Sequence, residues 1–308
     1  MSDNTENSSV LSLQRQQSTA MPDLLRNVHL QLEHHNVRAG IEVAMVRGDY
    51  LWYHYLCDGF DDVGWGCAYR SCQTLLSHVR LAVSAGATRN ARSPPPPQSP
   101  QPSSPFLPPS PTIPSIHELQ SQLHAAGDKS SSFVGSCEWI GSCEVALLLD
   151  MLDGVPCRIL TTNDGTCVED EWCALLWRHF NEEGTPVMVG GASGGAIAIL
   201  GISRGGTAGT QFLFLDPHFV GTVGDLDGAR RSRCCEWASP ATYFRAGCFY
   251  NCALPLLSRR QMPTQVPSHP AQEAAVDANV SGGMDTEIET VGAGFELQFE
   301  TVETGYGT

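Results

Sequence analysis

The sequence predicts an α+β protein, because segments with helical periodicity come first along the chain and short apolar segments come later. The chain has 308 residues, of which 42% are hydrophobic and 17% are charged, enough apolar material for one sizeable core. Glycines separate the later apolar segments, as expected for adjacent strands of one buried sheet. Regular alternation of strands and helices, which would indicate βαβ units, is not seen in this pattern.

Apolar spacing predicts the individual elements. The stripe formed by Ala68, Cys72, Leu75, Leu76, Val79 and Val83 predicts a helix that begins at Cys67. Further helices are predicted after Pro22, from 116 to Gly127, and over 142–152 and 170–180. Strands are predicted over 41–46, 50–55, 186–189, 196–202 and 212–215.

A proline-rich segment interrupts this pattern. Between Pro94 and Pro114, 11 of 21 residues are proline, which excludes a helix or a central strand. We interpret residues 86–114 as an extended insertion. The P-x-x-P spacings within 94–114 are also those of ligands for SH3-like domains, but a passive linker is the favoured interpretation.

The two ends of the chain differ in composition from the predicted domain, which spans residues 22–257. Residues 1–21 are polar and are predicted to be disordered. The last segment, 258–308, contains eight acidic residues and no lysine or arginine beyond Arg260. We expect it to be an acidic, disordered tail.

Composition also excludes several classes of function. The formal net charge of −15 gives no electrostatic basis for binding nucleic acid. The polar N-terminus predicts no signal peptide, and the apolar run AIAILGI is too short to insert into a membrane. We therefore expect a cytoplasmic or nuclear protein.

No motif predicts a cofactor or a metal. The 12 cysteines include no C-x-x-C pair, and the glycines of GGASGG stand between two predicted strands rather than before a helix. The cysteines are best interpreted as buried thiols in a reducing compartment.

One cysteine has neighbours that a core position does not need. In DDVGWGCAYR, Cys67 begins a helix and follows Gly64, Trp65 and Gly66. A helix N-terminus lowers the pKa of a thiol, and the glycines permit a sharp turn and the close approach of another chain. Trp65 is placed to form one wall of a narrow substrate groove. The alternative, a packed turn before an ordinary core helix, is equally consistent with this segment alone.

A candidate base follows a predicted buried strand. In FLFLDPHFVG, Asp216 and His218 stand two residues apart, so in extended backbone their side chains leave the same side of the chain. An aspartate beside a histidine fixes the imidazole tautomer and stabilises the imidazolium, as in a nucleophilic triad. By itself the motif favours an ordinary surface turn after a strand, where Asp-Pro is common. Its pairing with Cys67 moves the balance toward the triad.

Five blocks of the sequence together resemble the ubiquitin-fold modifier 1-specific proteases, a family of cysteine peptidases, in their short, catalytic-domain-only form. The blocks are, in order, WYHYLCDGFDDVGWGCAYRSCQT, AGDKSSSFVGSCEWIGSCEV, EEGTPVMVGG, LDPHFVG and FYNCALP. The resemblance implies a papain-like fold with helices packed on a mostly antiparallel central sheet. It also implies Cys67 as nucleophile, His218 as base, Asp216 as the group that orients the base, and Tyr55 as a donor to the oxyanion.

The implied reaction is cleavage after the C-terminal glycine of ubiquitin-fold modifier 1, either in its precursor or in its conjugates, which are the implied partners. Recruitment to the surface of the endoplasmic reticulum is compatible with this role. One departure from the family pattern, Ile197-Ala198 after the glycine loop, puts a contact in the substrate channel in question. Two alternatives remain: an autophagin-like protease for another ubiquitin-like modifier, and a catalytically silent protein that binds the modifier.

Overall fold

The structure is a computed structural model that describes residues 24–32, 40–90, 111–191, 195–205, 207 and 209–261, without the side chains of 87–90. The segments predicted to be disordered, 1–21 and most of 258–308, lie outside the described residues, as does most of the proline-rich insertion with its P-x-x-P spacings. The helices are α1 (Val28–Leu32), α2 (Cys67–Asn90), α3 (Ile116–Ala125), α4 (Ser142–Asp153), α5 (Val168–Glu182) and α6 (Leu226–Arg231). The strands are β1 (Ile41–Met45), β2 (Cys157–Thr162), β3 (Val187–Gly191), β4 (Ile197–Gly205), β5 (Gln211–Leu215), β6 (Cys235–Ala238) and β7 (Tyr250–Pro255).

The described strands form one antiparallel sheet in the order β2-β7-β3-β4-β5-β6. Strand β1 pairs with the second half of β4, beyond the part of β4 that pairs with β3. A register shift between Ile199 and Gly201 bends β4 where the two partners meet. Strands β4 and β5 therefore bring the residues just before β4 and just after β5 to the same end of the sheet.

The three largest hydrophobic clusters among the described residues hold the layers together. The first joins α2, α3 and α4 and contains Tyr55 and Cys67. The second packs α5 on one face of the sheet, and the third covers the other face together with α1 and α6. Alternate residues of β4 enter the second and third clusters, as expected for a strand that is buried on both faces. The result is a helical half and a sheet half that meet beside the start of α2.

Helix α2 begins at Cys67 as predicted, and it is more deeply buried than one apolar stripe would require. Its polar side chains Arg70, Gln73, Thr74 and Ser77 are buried as well. The helix continues to Asn90, into the segment assigned to the insertion, because residues 86–90 contain no proline.

Residues 50–55 do not form the predicted strand, although every one of them is buried. Within this segment, Leu51 forms an isolated antiparallel β-bridge with Arg26. Side chains take the place of a neighbouring strand: the Leu51 amide donates to the Ser77 hydroxyl at 2.9 Å, and the Tyr53 amide donates to the Thr74 hydroxyl at 3.1 Å. The apolar composition of this segment predicts its burial correctly, but it does not indicate which groups accept hydrogen bonds from its backbone amides.

The sequence pattern predicts no strand at β2, β6 or β7, although β7 contains all of the block FYNCALP except its first residue. The folded domain also extends slightly beyond the predicted boundary at 257. Residues Leu257–Arg259 form a short 3₁₀ turn, and the Gln261 amide donates to the Gly154 carbonyl at 2.8 Å. Among the described residues, no helix combines the length and apolar character needed to cross a membrane.

Candidate active site

The two glycines before Cys67 shape the turn from which α2 begins. Gly64 has a φ of +86°, a conformation that favours glycine over other residues. Gly66 lies so close to Asp62 that a larger residue would not fit. A methyl group on its Cα would come within 2.2 Å of the Asp62 carboxylate. The Asp62 carbonyl accepts hydrogen bonds from the amides of Trp65 and Gly66. The turn therefore places the Cys67 thiol at the N-terminal end of a buried helix.

The chain after β5 folds the candidate base back onto its acidic partner. The Asp216 carboxylate accepts hydrogen bonds from the His218 backbone amide, at 2.9 Å, and from His218 Nδ1. The Pro217-His218 segment is a turn rather than the extended backbone expected from the sequence. The turn brings the two side chains together directly, and it leaves His218 Nε2 on the side of the Cys67 thiol, where both atoms lie beside Gly195.

Tyr55 connects the two halves of the site. Its amide donates to the Pro217 carbonyl at 3.0 Å, and its ring meets the His218 ring edge-on with centroids 5.3 Å apart. Its hydroxyl lies beside the Cys67 thiol and the Gly64 amide. The structure therefore brings together all four residues proposed as catalytic: Cys67, His218, Asp216 and Tyr55.

A further contact comes from Ala196, the residue just before β4, for which the sequence predicted no role. The Ala196 amide donates to the Cys67 sulfur at 3.3 Å. Gly195, with a φ of +91°, lies over the reacting pair: a methyl group on its Cα would come 2.7 Å from His218 Nε2 and 3.2 Å from Cys67 Sγ. The glycine-rich GGASGG segment was a signal that could have indicated this close approach.

The surroundings of the thiol favour an ion pair with the imidazole. Burial acts to raise the pKa of Cys67, but hydrogen bonds from His218, the Ala196 amide and Tyr55 outweigh it and lower that pKa below its ordinary value of 9.0. Burial acts to lower the pKa of His218, but Asp216 and Cys67 raise it to about 10. Both directions favour a thiolate beside an imidazolium near neutral pH.

Burial, and then repulsion from the neighbouring Cys67 thiolate, raises the pKa of Tyr55 well above its usual range. The phenol therefore keeps its proton at neutral pH and can donate a hydrogen bond. This is the protonation state that a donor to an oxyanion requires.

A cavity of about 310 Å³ opens onto Cys67. Its lining is formed by Trp65, Cys67, Ala68, Trp139, Ile140, Gly141, Gly190, Gly191, Gly195, Ala196, Phe249 and Asn251. Trp139 and Phe249 are 68% and 44% exposed, unusual values for such large apolar side chains. An apolar cavity with many glycines suits an extended peptide with small side chains.

The residues predicted to bind substrate divide between two positions. Trp65 lines the cavity, whereas Gly64 and Gly66 lie in the turn behind it. Ile197 and Ala198, the departure from the family pattern, are buried on opposite faces of β4 and do not line this cavity. Ile197 lines a smaller adjoining pocket of about 120 Å³, which Gly195 separates from Cys67.

A model of peptidase family C78 matches residues 41–253, a span that includes all four residues of the site. The chain belongs to peptidase family C78. The family predicted from the five sequence blocks is thus confirmed.

Named relatives agree with this assignment. The Ufm1-specific protease 2 of Mus musculus is 39% identical over 234 residues, which are 75% of this chain and 44% of the mouse protein. The probable Ufm1-specific protease of Oryza sativa subsp. japonica is 36% identical over 260 residues, which are 82% of this chain and 36% of the rice protein. The chain spans between 34% and 44% of the length of the curated relatives it matches.

A solved structure supports the fold. The crystal structure of UfSP from C. elegans superposes with a TM-score of 0.57 at 36% sequence identity, covering 75% of this chain and 37% of that chain. The predicted α+β, papain-like arrangement of helices on a mostly antiparallel sheet is therefore confirmed for this C78 chain.

Proposed function

We propose that this protein is a cysteine peptidase that cleaves after the C-terminal glycine of ubiquitin-fold modifier 1 (Ufm1). One observation supports the chemistry above all others: the Cys67 sulfur lies at a helix N-terminus beside the His218 imidazole, and Asp216 holds Nδ1 of that imidazole. The substrate is proposed from the relatives, which are named as Ufm1-specific proteases. The autophagin-like alternative has no support among these relatives.

In the proposed reaction the Cys67 thiolate attacks the carbonyl carbon of the terminal glycine. The electron pair of that carbonyl moves onto its oxygen, where the Tyr55 hydroxyl and the Cys67 backbone amide are the proposed hydrogen-bond donors. His218, as imidazolium, donates a proton to the leaving amine, and the carbon–nitrogen bond breaks. Water, deprotonated by His218, then hydrolyses the thioester and restores the thiol. Asp216 keeps the His218 ring oriented throughout.

The amine that leaves distinguishes two activities of this site. It is an α-amine if the substrate is a Ufm1 precursor, and a lysine side-chain amine if the substrate is a conjugate. In both cases the acyl side of the substrate is the same glycine, which fits the cavity with glycines at 141, 190 and 191. We propose both as substrates.

The direct test uses Ufm1 that carries a C-terminal propargylamide in place of its last carboxyl group. We expect the Cys67 thiolate to form a covalent adduct, visible as a mass increase, and expect none with Cys67→Ala. Absence of an adduct with a folded wild-type protein would contradict the proposal. The same probe built on an autophagy-related modifier then separates an autophagin-like protease from a silent binder.

A further inference from the structure

Beside the active site, Arg70 forms a buried ionic cluster with two carboxylates. Its side chain is fully buried, and Asp62 is fully buried as well. Arg70 Nε donates to Asp62 at 2.8 Å, and its two terminal nitrogens donate to Asp58 at 2.8 Å each. The remaining donors reach Asp62 at 3.1 Å and Gln73 at 3.1 Å. All five N–H groups of the guanidinium are therefore used within the protein.

Asp62 also holds the backbone on both sides of the reacting atoms. Its Oδ1 accepts a hydrogen bond from the Leu56 amide at 2.9 Å, immediately after Tyr55. Its other oxygen lies against Gly66, immediately before Cys67. Leu56 has a φ of +58°, an uncommon conformation that this bond helps to maintain. One carboxylate thus links the peptide that carries the phenol to the peptide that carries the thiol.

We infer that Asp62, held in place by Arg70, is a positioning residue that holds the Tyr55 hydroxyl at the distance from the Cys67 backbone amide at which the two groups can bind one oxyanion. Asp62 itself does not touch the substrate. This inference rests on the proposed roles of Tyr55 and Cys67, and it does not depend on which modifier the enzyme cleaves. If it is correct, Asp62 contributes to oxyanion binding through Tyr55 and not independently of it.

The test uses a small aldehyde, N-acetylglycinal, which needs no modifier. The Cys67 thiolate adds to the aldehyde carbon, a carbon–sulfur bond forms, and the carbonyl electron pair moves onto the oxygen, which then takes up the proton of the His218 imidazolium. The affinity of this adduct depends on the oxyanion donors. It is measured as protection of Cys67 from iodoacetamide, quantified by mass spectrometry of the Cys67 peptide.

We compare wild type, Tyr55→Phe, Asp62→Asn and the double variant. We expect each single variant to weaken the aldehyde adduct by about tenfold or more. This is less than the roughly 100- to 1000-fold loss of kcat seen when one oxyanion donor is removed from an enzyme. We expect the double variant to be no weaker than Tyr55→Phe alone, because Asp62 acts through Tyr55. The rate of alkylation without aldehyde is measured for each of the four proteins, and the protection of each is expressed relative to its own rate, because Tyr55 also lowers the pKa of the Cys67 thiol.

The matched control is Asp153→Asn. Asp153, at the end of α4, accepts hydrogen bonds from Arg80 at 2.9 and 3.1 Å. Arg80 lies on α2, as Arg70 does, but 13 residues beyond Cys67. This change should lower the melting temperature without weakening the aldehyde adduct. If Asp62→Asn does not fold, Asp58→Asn replaces it, since Asp58 is partly exposed and holds the other end of the same guanidinium.

Two results would overturn the inference. One is a double variant whose loss of aldehyde affinity equals the product of the losses in the two single variants. That result would mean that Asp62 acts independently of Tyr55 or has a general structural role. The other is an Asp62→Asn protein that binds the aldehyde like wild type. Failure of the proposed Ufm1 activity would appear separately, as wild-type protein that binds the aldehyde but forms no adduct with the Ufm1 propargylamide.

Discussion

The two halves of the active site are held by different forces. On the helical side, the turn before Cys67 rests on Arg70 and Asp62, whose side chains are fully buried and ion-paired. On the sheet side, the side chains of Asp216 and His218 are each 32% exposed and are held chiefly by each other. The nucleophile is thus fixed by an ionic cluster below the surface, whereas the base is fixed by local turn contacts. Damage to the first half should therefore reduce stability, and damage to the second should change reactivity in a protein that remains folded.

The largest effect should follow from removing the buried cation. Arg70→Met leaves the carboxylates of Asp58 and Asp62 without their partner, and we expect the free energy of unfolding to fall by about 3–5 kcal/mol. Chemical denaturation measures this change. Arg230→Met, which breaks an exposed pair with Asp227, is the control and should change stability by less than about 0.5 kcal/mol. Similar losses of unfolding free energy in the two variants would mean that the buried ionic cluster stabilises the protein no more than an exposed ion pair does.

The next effect should appear at Gly195, on the sheet side. Gly195→Ala places a methyl group 2.7 Å from His218 Nε2 and 3.2 Å from Cys67 Sγ, so it should force the reacting pair apart. We expect a loss of cleavage rate of about 10- to 100-fold, the scale associated with misplacing a catalytic group. A cleavage assay on the Ufm1 precursor measures it.

Gly209→Ala is the matched control for that change. Gly209 also has a positive φ, of +69°, but no atom lies within 4 Å of the position of its added methyl group. Both variants therefore carry the same kind of backbone cost, about 1–2 kcal/mol. Equal loss of cleavage in the two would show that strain, and not contact with the dyad, is responsible.

A third experiment examines how pH changes the reactivity of the base side. Because the pKa of Cys67 is lowered, its thiolate should form, and react with iodoacetamide, below the ordinary thiol value of 9.0. Because the pKa of His218 is raised to about 10, the imidazolium is present below that pH and is lost as pH rises through it. Alkylation should therefore already be rapid near neutral pH, and cleavage, which also needs the imidazolium, should fall as the pH passes about 10.

Asp216→Asn sharpens this experiment. The variant removes the negative charge beside His218 Nδ1, so the pKa of His218 should fall and the pKa of Cys67 should rise. The alkylation profile of Cys67 should then move to higher pH while the melting temperature changes little. An unchanged profile would mean that Asp216 does not support the ion pair.

The smallest effect should come from the cavity wall. Asn251 contributes an amide side chain to a lining that is mainly glycine and aromatic. Asn251→Leu should raise KM for the Ufm1 precursor by about two- to tenfold, the usual range for one lost hydrogen bond, with kcat unchanged. Asn181→Leu on the exposed end of α5 is the control. A change in kcat instead would place Asn251 nearer the reacting atoms.

Sequence reasoning succeeded where the determining contacts are local. The start of α2 at Cys67 follows from glycines and apolar spacing within one short segment, and Asp216 lies two residues from the histidine that it holds. It failed where partners are distant along the chain. The Ala196 amide that contacts Cys67 is a backbone group 129 residues away, so its side chain carries no signal of the role.

The same distinction explains the errors in the fold. Residues 50–55 have the composition of a strand, but the hydroxyls of Ser77 and Thr74 on α2 satisfy backbone amides that a neighbouring strand would otherwise bond. Arg70 and Asp62 stand in the very block that suggested the nucleophile. Their burial depends on the packing of α2 against the sheet and the other helices, which residue type alone does not report.

The length of α2 has a practical consequence. At 1.5 Å per residue, its 24 residues place Cys67 and Asn90 roughly 35 Å apart. The described chain thus departs toward the proline-rich segment at the end of the helix remote from the chemistry. A fluorophore or affinity tag attached after residue 90 would therefore lie far from the Cys67 thiol and should not react with it or block it.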